Sequence, residues 1–145
     1  MALIHVDVVT AERAVLSSEA DSVTAMTVEG QISVLPGHVP LVTLLQPGEL
    51  VVRVGGEETL LAVAGGFLEV SREGIVVLAD ACERAEEIDI ERAALAKRRA
   101  QALIEAGASE TDAAAAEAAL RRAVARLRVA EGIRIRPRRN VRPMS

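Results

Sequence analysis

Arg92 and Arg99 stand seven residues apart, and Arg122 and Arg126 four apart, in two stretches whose apolar spacing is helical. Arg92, Arg99 and Arg126 each come one residue before an apolar seam position, and Arg122 lies one turn before Arg126 on the same side. In an antiparallel helix pair turning near residue 108, like edges face each other, so Arg92 comes level with Arg126 and Arg99 with Arg122. Four guanidiniums on one edge need water or an anion between them, and a phosphate chain would bind there through charge-assisted, bidentate hydrogen bonds. The N-terminus of the first helix adds partial positive charge. Glu83 and Asp89 offer acceptors suited to a sugar hydroxyl or a base amino group. A second assignment stands beside this one. Arginines flanking a seam commonly form a solvated face, Glu91, Glu105 and Glu117 could pair with some of them, and Asp89 is equally suited to capping a helix.

The rest of the chemical inventory is thin. His5 falls in a strand pattern, His38 in the loop Pro36-Gly-His-Val-Pro40, and Cys82 has no second cysteine or neighbouring histidine. The sequence has no metal-ligand spacing, no phosphate loop with its lysine and no nucleophile elbow. Gly65-Gly66 runs into Phe67-Leu-Glu without the spacing of a dinucleotide fingerprint and reads as a tight turn. Cys82 reads as a small apolar residue at a domain edge. The expectation is a protein that is not an enzyme and requires no cofactor or metal.

Two kinds of element must position these residues. Up to about residue 82 the period is two: Ile4, Val6 and Val8 alternate with their neighbours, as do Val23, Ala25 and Thr27. Leu50–Val54 and Thr59–Val63 flank Gly55-Gly56, a hairpin signal because the tight turn needs positive φ. Phe67–Ser71 and Ile75–Ala79 flank a second turn at Arg72-Glu-Gly74. Many short strands with Gly and Pro turns suggest a sandwich or barrel.

From Ile90 the chain is alanine-rich and helical. Asp89 is the expected N-cap of the first helix, Gly107 breaks the pattern, and Ser109 or Thr111 can cap a second helix running to about Ala130, with Gly132 ending it. The seam is Ala93, Ala96, Ala100 and Leu103 on one helix, and Ala113, Ala116, Leu120, Ala123, Leu127 and Ala130 on the other. Ile104 and Val124 lie on the opposite edge and could dock on the sandwich. At about 25 cal/mol per Å² of apolar surface, an alanine seam is weak beside a leucine one. A marginal hairpin that can change partners follows.

Composition narrows the partners. The chain has 145 residues and a net charge of −4, with Phe67 as its single aromatic among Phe, Trp and Tyr, which counts against binding nucleic acid by stacking bases on aromatic rings. A single cysteine points to a reducing compartment. No apolar run is long enough to span a bilayer, and the first residues lack the basic region of a signal peptide. The arginine-rich segment 133–145 is expected to be a disordered tail.

Several motifs now bear on the family. Pro36-Gly-His-Val-Pro-Leu41, Ala64-Gly-Gly-Phe-Leu-Glu-Val70, Val76-Val-Leu-Ala-Asp80 followed by Glu83-Arg-Ala, Ile88-Asp-Ile-Glu-Arg-Ala93 and Leu127-Arg-Val occur in order over residues 3 to about 131. In this the chain resembles the epsilon subunits of bacterial F-type ATP synthases. The resemblance implies an α+β protein with segregated parts: a β-sandwich of about ten strands over residues 1–86, an antiparallel two-helix hairpin over 87–132, and the basic tail.

The resemblance also implies a non-catalytic central-stalk subunit that links the gamma subunit to the c-ring. Its hairpin lies folded on the head, or extends into the alpha/beta hexamer and inhibits ATP hydrolysis. Gln31, His38, Pro40 and Leu41 would face the c-ring. Arg121, Arg122, Arg126 and Arg128 would meet an acidic segment of the beta subunit in the extended state. In some relatives ATP binds the folded hairpin, and Glu83, Asp89, Arg92, Arg99, Arg122 and Arg126 match the residues implicated there. High ATP would then favour the folded form by population shift. The implied location is peripheral, on the cytoplasmic face of the bacterial plasma membrane, with membrane contact only through the c-ring and no nucleic-acid partner.

The chain departs from the family at Gln31, where relatives carry a charge, at Ser33, where they carry glycine, and in its longer tail, which could also contact an anionic surface. Two alternatives remain at this stage: a stand-alone nucleotide-sensing module that does not couple rotation, and a nucleic-acid adaptor acting through the tail.

Overall fold

In a computed structural model describing residues 2–107 and 109–135, the last three by backbone only, the two periodicities become two structural units. The strands are β1 (Ile4–Val9), β2 (Ala14–Ala20), β3 (Ser22–Thr27), β4 (Gly30–Val34), β5 (Leu41–Leu45), β6 (Gly48–Val54), β7 (Glu57–Val63), β8 (Gly66–Ser71), β9 (Gly74–Ala79) and β10 (Cys82–Arg84). They form one sheet in the order β10-β7-β6-β3-β5-β8-β9-β1-β2, with β4 paired to β3. All pairings are antiparallel except β1 with β9. The sheet folds over until its ends approach: the Arg84 guanidinium on β10 donates to the Val15 carbonyl on β2 at 2.6 Å. The result is a near-closed ten-stranded sandwich followed by two helices, as the sequence led us to expect.

Strand alternation fills the interior. Ile4, Val6 and Val8 point inward from β1, as do Val23, Ala25 and Thr27 from β3, joining Leu50, Leu61, Leu68, Ile75 and Val77 in one core. Thr27 is the buried polar exception among the described residues, and its hydroxyl donates to the Gly30 carbonyl at 2.6 Å, so its burial carries no orphaned donor. The turn between β6 and β7 has Gly55 at φ 59° and Gly56 at φ 88°, the left-handed backbone that a tight two-residue hairpin turn requires. Gly66 is demanded by space as well. It sits at φ +129°, and a Cβ there would lie 2.1 Å from the Leu78 carbonyl oxygen of β9.

After a 3-10 turn at Ala85–Glu87 come α1 (Ile90–Glu105) and α2 (Glu110–Ile135). Asp89 caps α1, its Oδ1 accepting the Arg92 backbone N–H at 3.1 Å. Gly107 at φ 73° turns the chain, and Ser109, rather than Thr111, caps α2 by accepting the Asp112 N–H at 3.3 Å.

Three details differ from the sequence reading. First, α2 continues through Gly132 to Ile135. A helical glycine costs only about 1 kcal/mol against alanine, and Val129 and Ala130, packed just before it, hold the backbone in register. The expected tail therefore begins as helix, and the rest of it lies outside the described residues. Second, Leu103 is 52% exposed rather than buried in the seam. By the antiparallel register it lies opposite the start of α2, where the seam positions are Ala113 and Ala116, side chains too short to cover it. Third, docking on the sandwich falls chiefly to α2. It packs against β6, β7 and the 3-10 turn, with Ala125, Val129 and Ala130 buried and Val124 half-buried.

Candidate functional site

β7 and β10 present a wall of small residues, Ala62, Ala64, Ala81 and Cys82, toward the helical arm. Opposite them, Ala96 of α1 and Ala119 and Ala123 of α2 are equally small, which leaves a cavity of about 340 Å³ between arm and sandwich. This is within the size range of small-molecule pockets. Its polar groups are Glu83 from β10 and Arg122 and Arg126 from α2. Arg126 spans the gap as a fork: Nε donates to Glu83 Oε1 at 2.6 Å and Nη2 to Oε2 at 3.2 Å. Both groups are about two-thirds buried or more, so the pair is shielded from bulk screening better than a surface ion pair.

The six residues read as an anion site divide into two sets. Glu83, Arg122 and Arg126 line the cavity. Asp89, Arg92 and Arg99 do not. Arg92 and Arg99 lie one turn before and after the cavity residue Ala96 on the same face of α1, which places them at the rim. Asp89 is occupied as a cap, as the alternative assignment foresaw, through one of its two carboxylate oxygens. Among the described residues no side-chain hydrogen bond or ion pair engages Arg92, Arg99 or Arg122, so their donors remain available to a ligand. Glu91, Glu105 and Glu117 form no described ion pair with any of them. Burial pushes the Cys82 thiol up to about 11, so it stays neutral and is a poor nucleophile.

The remaining expected contact residues line two grooves and the edge of the core. Gln31 lines a groove of about 600 Å³ beside Arg121 and Arg128 of α2. His38 and Pro40 line a different groove with His5 and Glu73, and His38 is held by a 2.7 Å hydrogen bond between its Nδ1 and the Val39 carbonyl. Leu41 packs partly against the core.

Sequence reasoning missed two features. One is the outward row Leu44, Phe67 and Leu78, in register across β5, β8 and β9 and each about half exposed. Their places in the alternation marked them as outward, but only the pairing makes them a continuous apolar patch. The other is Arg13, whose guanidinium grips Glu87 at 2.8 and 2.9 Å. The 74-residue separation hid that pair from any local pattern.

Comparison with known proteins places this geometry. Residues 3–85 match the family described as ATP synthase, Delta/Epsilon chain, beta-sandwich domain. Residues 86–131 match the one described as ATP synthase, Delta/Epsilon chain, long alpha-helix domain. The chain is 53% identical over 138 residues to the ATP synthase epsilon chain of Dehalococcoides mccartyi, covering 94% of this chain and 99% of the relative. It is 46% identical to that of Chloroflexus aggregans, at 94% and 99% coverage. A chain in the mitochondrial ATP synthase structure of Euglena gracilis, comprising OSCP, F1 and c-ring, superposes with a TM-score of 0.77 at 28% identity, covering 90% of this chain and 82% of that one. On the match across both of its structural units, the chain belongs to the ATP synthase delta/epsilon chain family.

Proposed function

We propose that this chain is the rotor subunit that links gamma to the c-ring and uses its helical arm as an ATP-sensitive brake on hydrolysis. Membership of the family makes it a stalk subunit of ATP synthase rather than a catalytic one. The observation that carries the brake is the Glu83–Arg126 pair across an otherwise small-walled cavity. Arm and sandwich meet there through a charge that a polyphosphate would also bind.

The docked arm is held mainly by alanines and by Val129, with little apolar area per residue. A modest ligand energy can therefore shift its population. ATP, with its phosphates toward Arg92, Arg99, Arg122 and Arg126 and with Glu83 and Asp89 as acceptors, favours the docked state. Without it, the arm extends along gamma, and Arg121, Arg122, Arg126 and Arg128 meet acidic surface on the beta subunit. The row Leu44, Phe67 and Leu78 supports seating against gamma. The loop end at His38–Pro40, where Val39 and Pro40 are exposed, is assigned to the c-ring with Leu41 and Gln31. No described helix is long and apolar enough to cross a membrane. The proposed c-ring contact is what would hold the chain at the cytoplasmic face of the plasma membrane. We assign residues 1–86 to the rotor head and 87–132 to the regulatory arm.

Removing the chain from residue 88 onward should raise ATP hydrolysis by the assembled complex without preventing assembly, and an unchanged rate defeats the brake. Calorimetry on the isolated full chain should show ATP binding, weakened about tenfold or more by Arg92→Ala or Arg126→Ala, since charge-assisted bonds to a phosphate contribute roughly 1.5–3 kcal/mol each. Equal affinities in all three proteins reject the pocket.

A further inference from the structure

Glu83 faces the arm from β10, a strand of only three residues at the end of the sheet. A short edge strand is a poor platform for a charge that must meet Arg126 at 2.6 Å. β10 pairs with β7 along one side, and its other side is held by residues from elsewhere in the chain. The Arg13 guanidinium, in the connection between β1 and β2, donates to both carboxylate oxygens of Glu87 at 2.8 and 2.9 Å and to the Cys82 carbonyl at 3.4 Å. Glu87 Oε1 in turn accepts the Arg84 backbone N–H at 2.9 Å. Arg84 reaches back to the Val15 carbonyl on β2. The residues on either side of Glu83 are thus tied to the β1–β2 end of the sandwich, and none of these ties uses a helix of the arm.

We propose that Arg13 and Glu87 are positioning residues for the candidate site. They form a latch that keeps β10, Glu83 and the 3-10 turn on the sandwich and so places the arm's pivot at Ile88 and Asp89. These two residues are the extended stretch, at φ −80° and −85°, between the turn and α1. The ends of this stretch differ. Upstream of it the backbone is pinned by the latch, whereas downstream the contacts are the arm's own: the Asp89 cap and the packing of Val129 and Ala130 on Ala62, Ala85 and Ile88. When the arm leaves, the latch stays and Glu83 remains in place to receive Arg126 again. The pivot rests on the proposed mobility of the arm. The positioning of Glu83 does not.

The test is NMR on the full chain, following amide exchange at Arg84 and Ile88 and the Nε–H signal of Arg126, which reports its bond to Glu83. Arg13→Ala should speed exchange at Arg84 and Ile88 by about two- to fivefold, the range for a partly exposed ion pair. It should also shift or broaden the Arg126 signal, while leaving exchange at Val52 in the sheet centre unchanged. Arg13→Lys, which keeps the charge but loses the fork, should fall between Ala and wild type. Unchanged exchange at Arg84 and Ile88 overturns the latch, and so does a uniform rise that includes Val52, which would mean general destabilisation. In a Val129→Asp chain, loss of Ala62–Ala130 methyl contacts with Arg84 still protected supports the pivot, and loss of both overturns it. Ala62–Ala130 contacts that persist in Val129→Asp count against arm mobility and the pivot together, with the positioning of Glu83 still decided by Arg13→Ala.

Discussion

Val129 is the arm residue most enclosed by the sandwich, fully buried among Ala62, Ala85, Ile88 and Ala130. Truncating it to alanine removes two methyl groups from that cluster. At about 0.8 kcal/mol per buried carbon, and with a small term for the space left behind, the loss is about 2 kcal/mol. These contacts exist only when the arm is docked, so nearly all of that loss falls on docking rather than on the sandwich. The docked-to-released ratio should then drop about 30-fold, since every 1.4 kcal/mol is tenfold. Leu103→Ala is the matched control. It removes more carbon from the same arm, but from a side chain 52% exposed near the tip, and should change docking less than about threefold, as surface substitutions do. The assay is methyl NMR of the isolated chain, reading Ala62 and Ile88 against Ala130, together with ATP hydrolysis by the assembled complex at low ATP. Val129→Ala should weaken the contacts and slow hydrolysis, because a freer arm brakes more often. If Leu103→Ala releases the arm as strongly as Val129→Ala, the seam rather than the sandwich contact holds it, and the reasoning is refuted.

Two further outcomes follow from the sandwich. Gly66→Ala forces a Cβ into the Leu78 carbonyl and a left-handed backbone on alanine, so thermal or urea melts should show a loss of about 2–4 kcal/mol; a loss below 1 kcal/mol would contradict the close approach of β8 and β9. The Arg13 guanidinium, with the Arg84 N–H, holds the Glu87 carboxyl at about 2 against its ordinary 4.5. A depressed carboxylate contributes stability that is complete above about pH 4.5 and fades as pH falls through about 2. The stability gap between wild type and Glu87→Gln should therefore be constant in neutral solution and close across that acid window. A gap that persists undiminished at pH 2 argues against the ion pair.

The course of the chain was legible in its residues because local periodicity governs local structure. Ile4, Val6 and Val8 alternate and are buried, Gly55-Gly56 adopts positive φ, Asp89 and Ser109 cap, and the alanine-rich stretches are helical. The candidate anion site was half legible: spacing put four arginines along one edge, but could not say which of them enter the cavity. That depends on how far α2 sinks onto β7 and β10, which the size of Ala62, Ala64 and Ala123 settles and no heptad pattern encodes.

Composition, turns, caps and the two-part division were determined by the sequence itself, since each depends on neighbours within a few residues. The Arg13–Glu87 latch, the Arg126–Glu83 bridge and the apolar row of Leu44, Phe67 and Leu78 were decided only when the sheet folded over and α2 lay against it. Each joins residues from separate strands or helices. Such contacts form only after the chain between them has been ordered, so short-range spacing carries no signal of them.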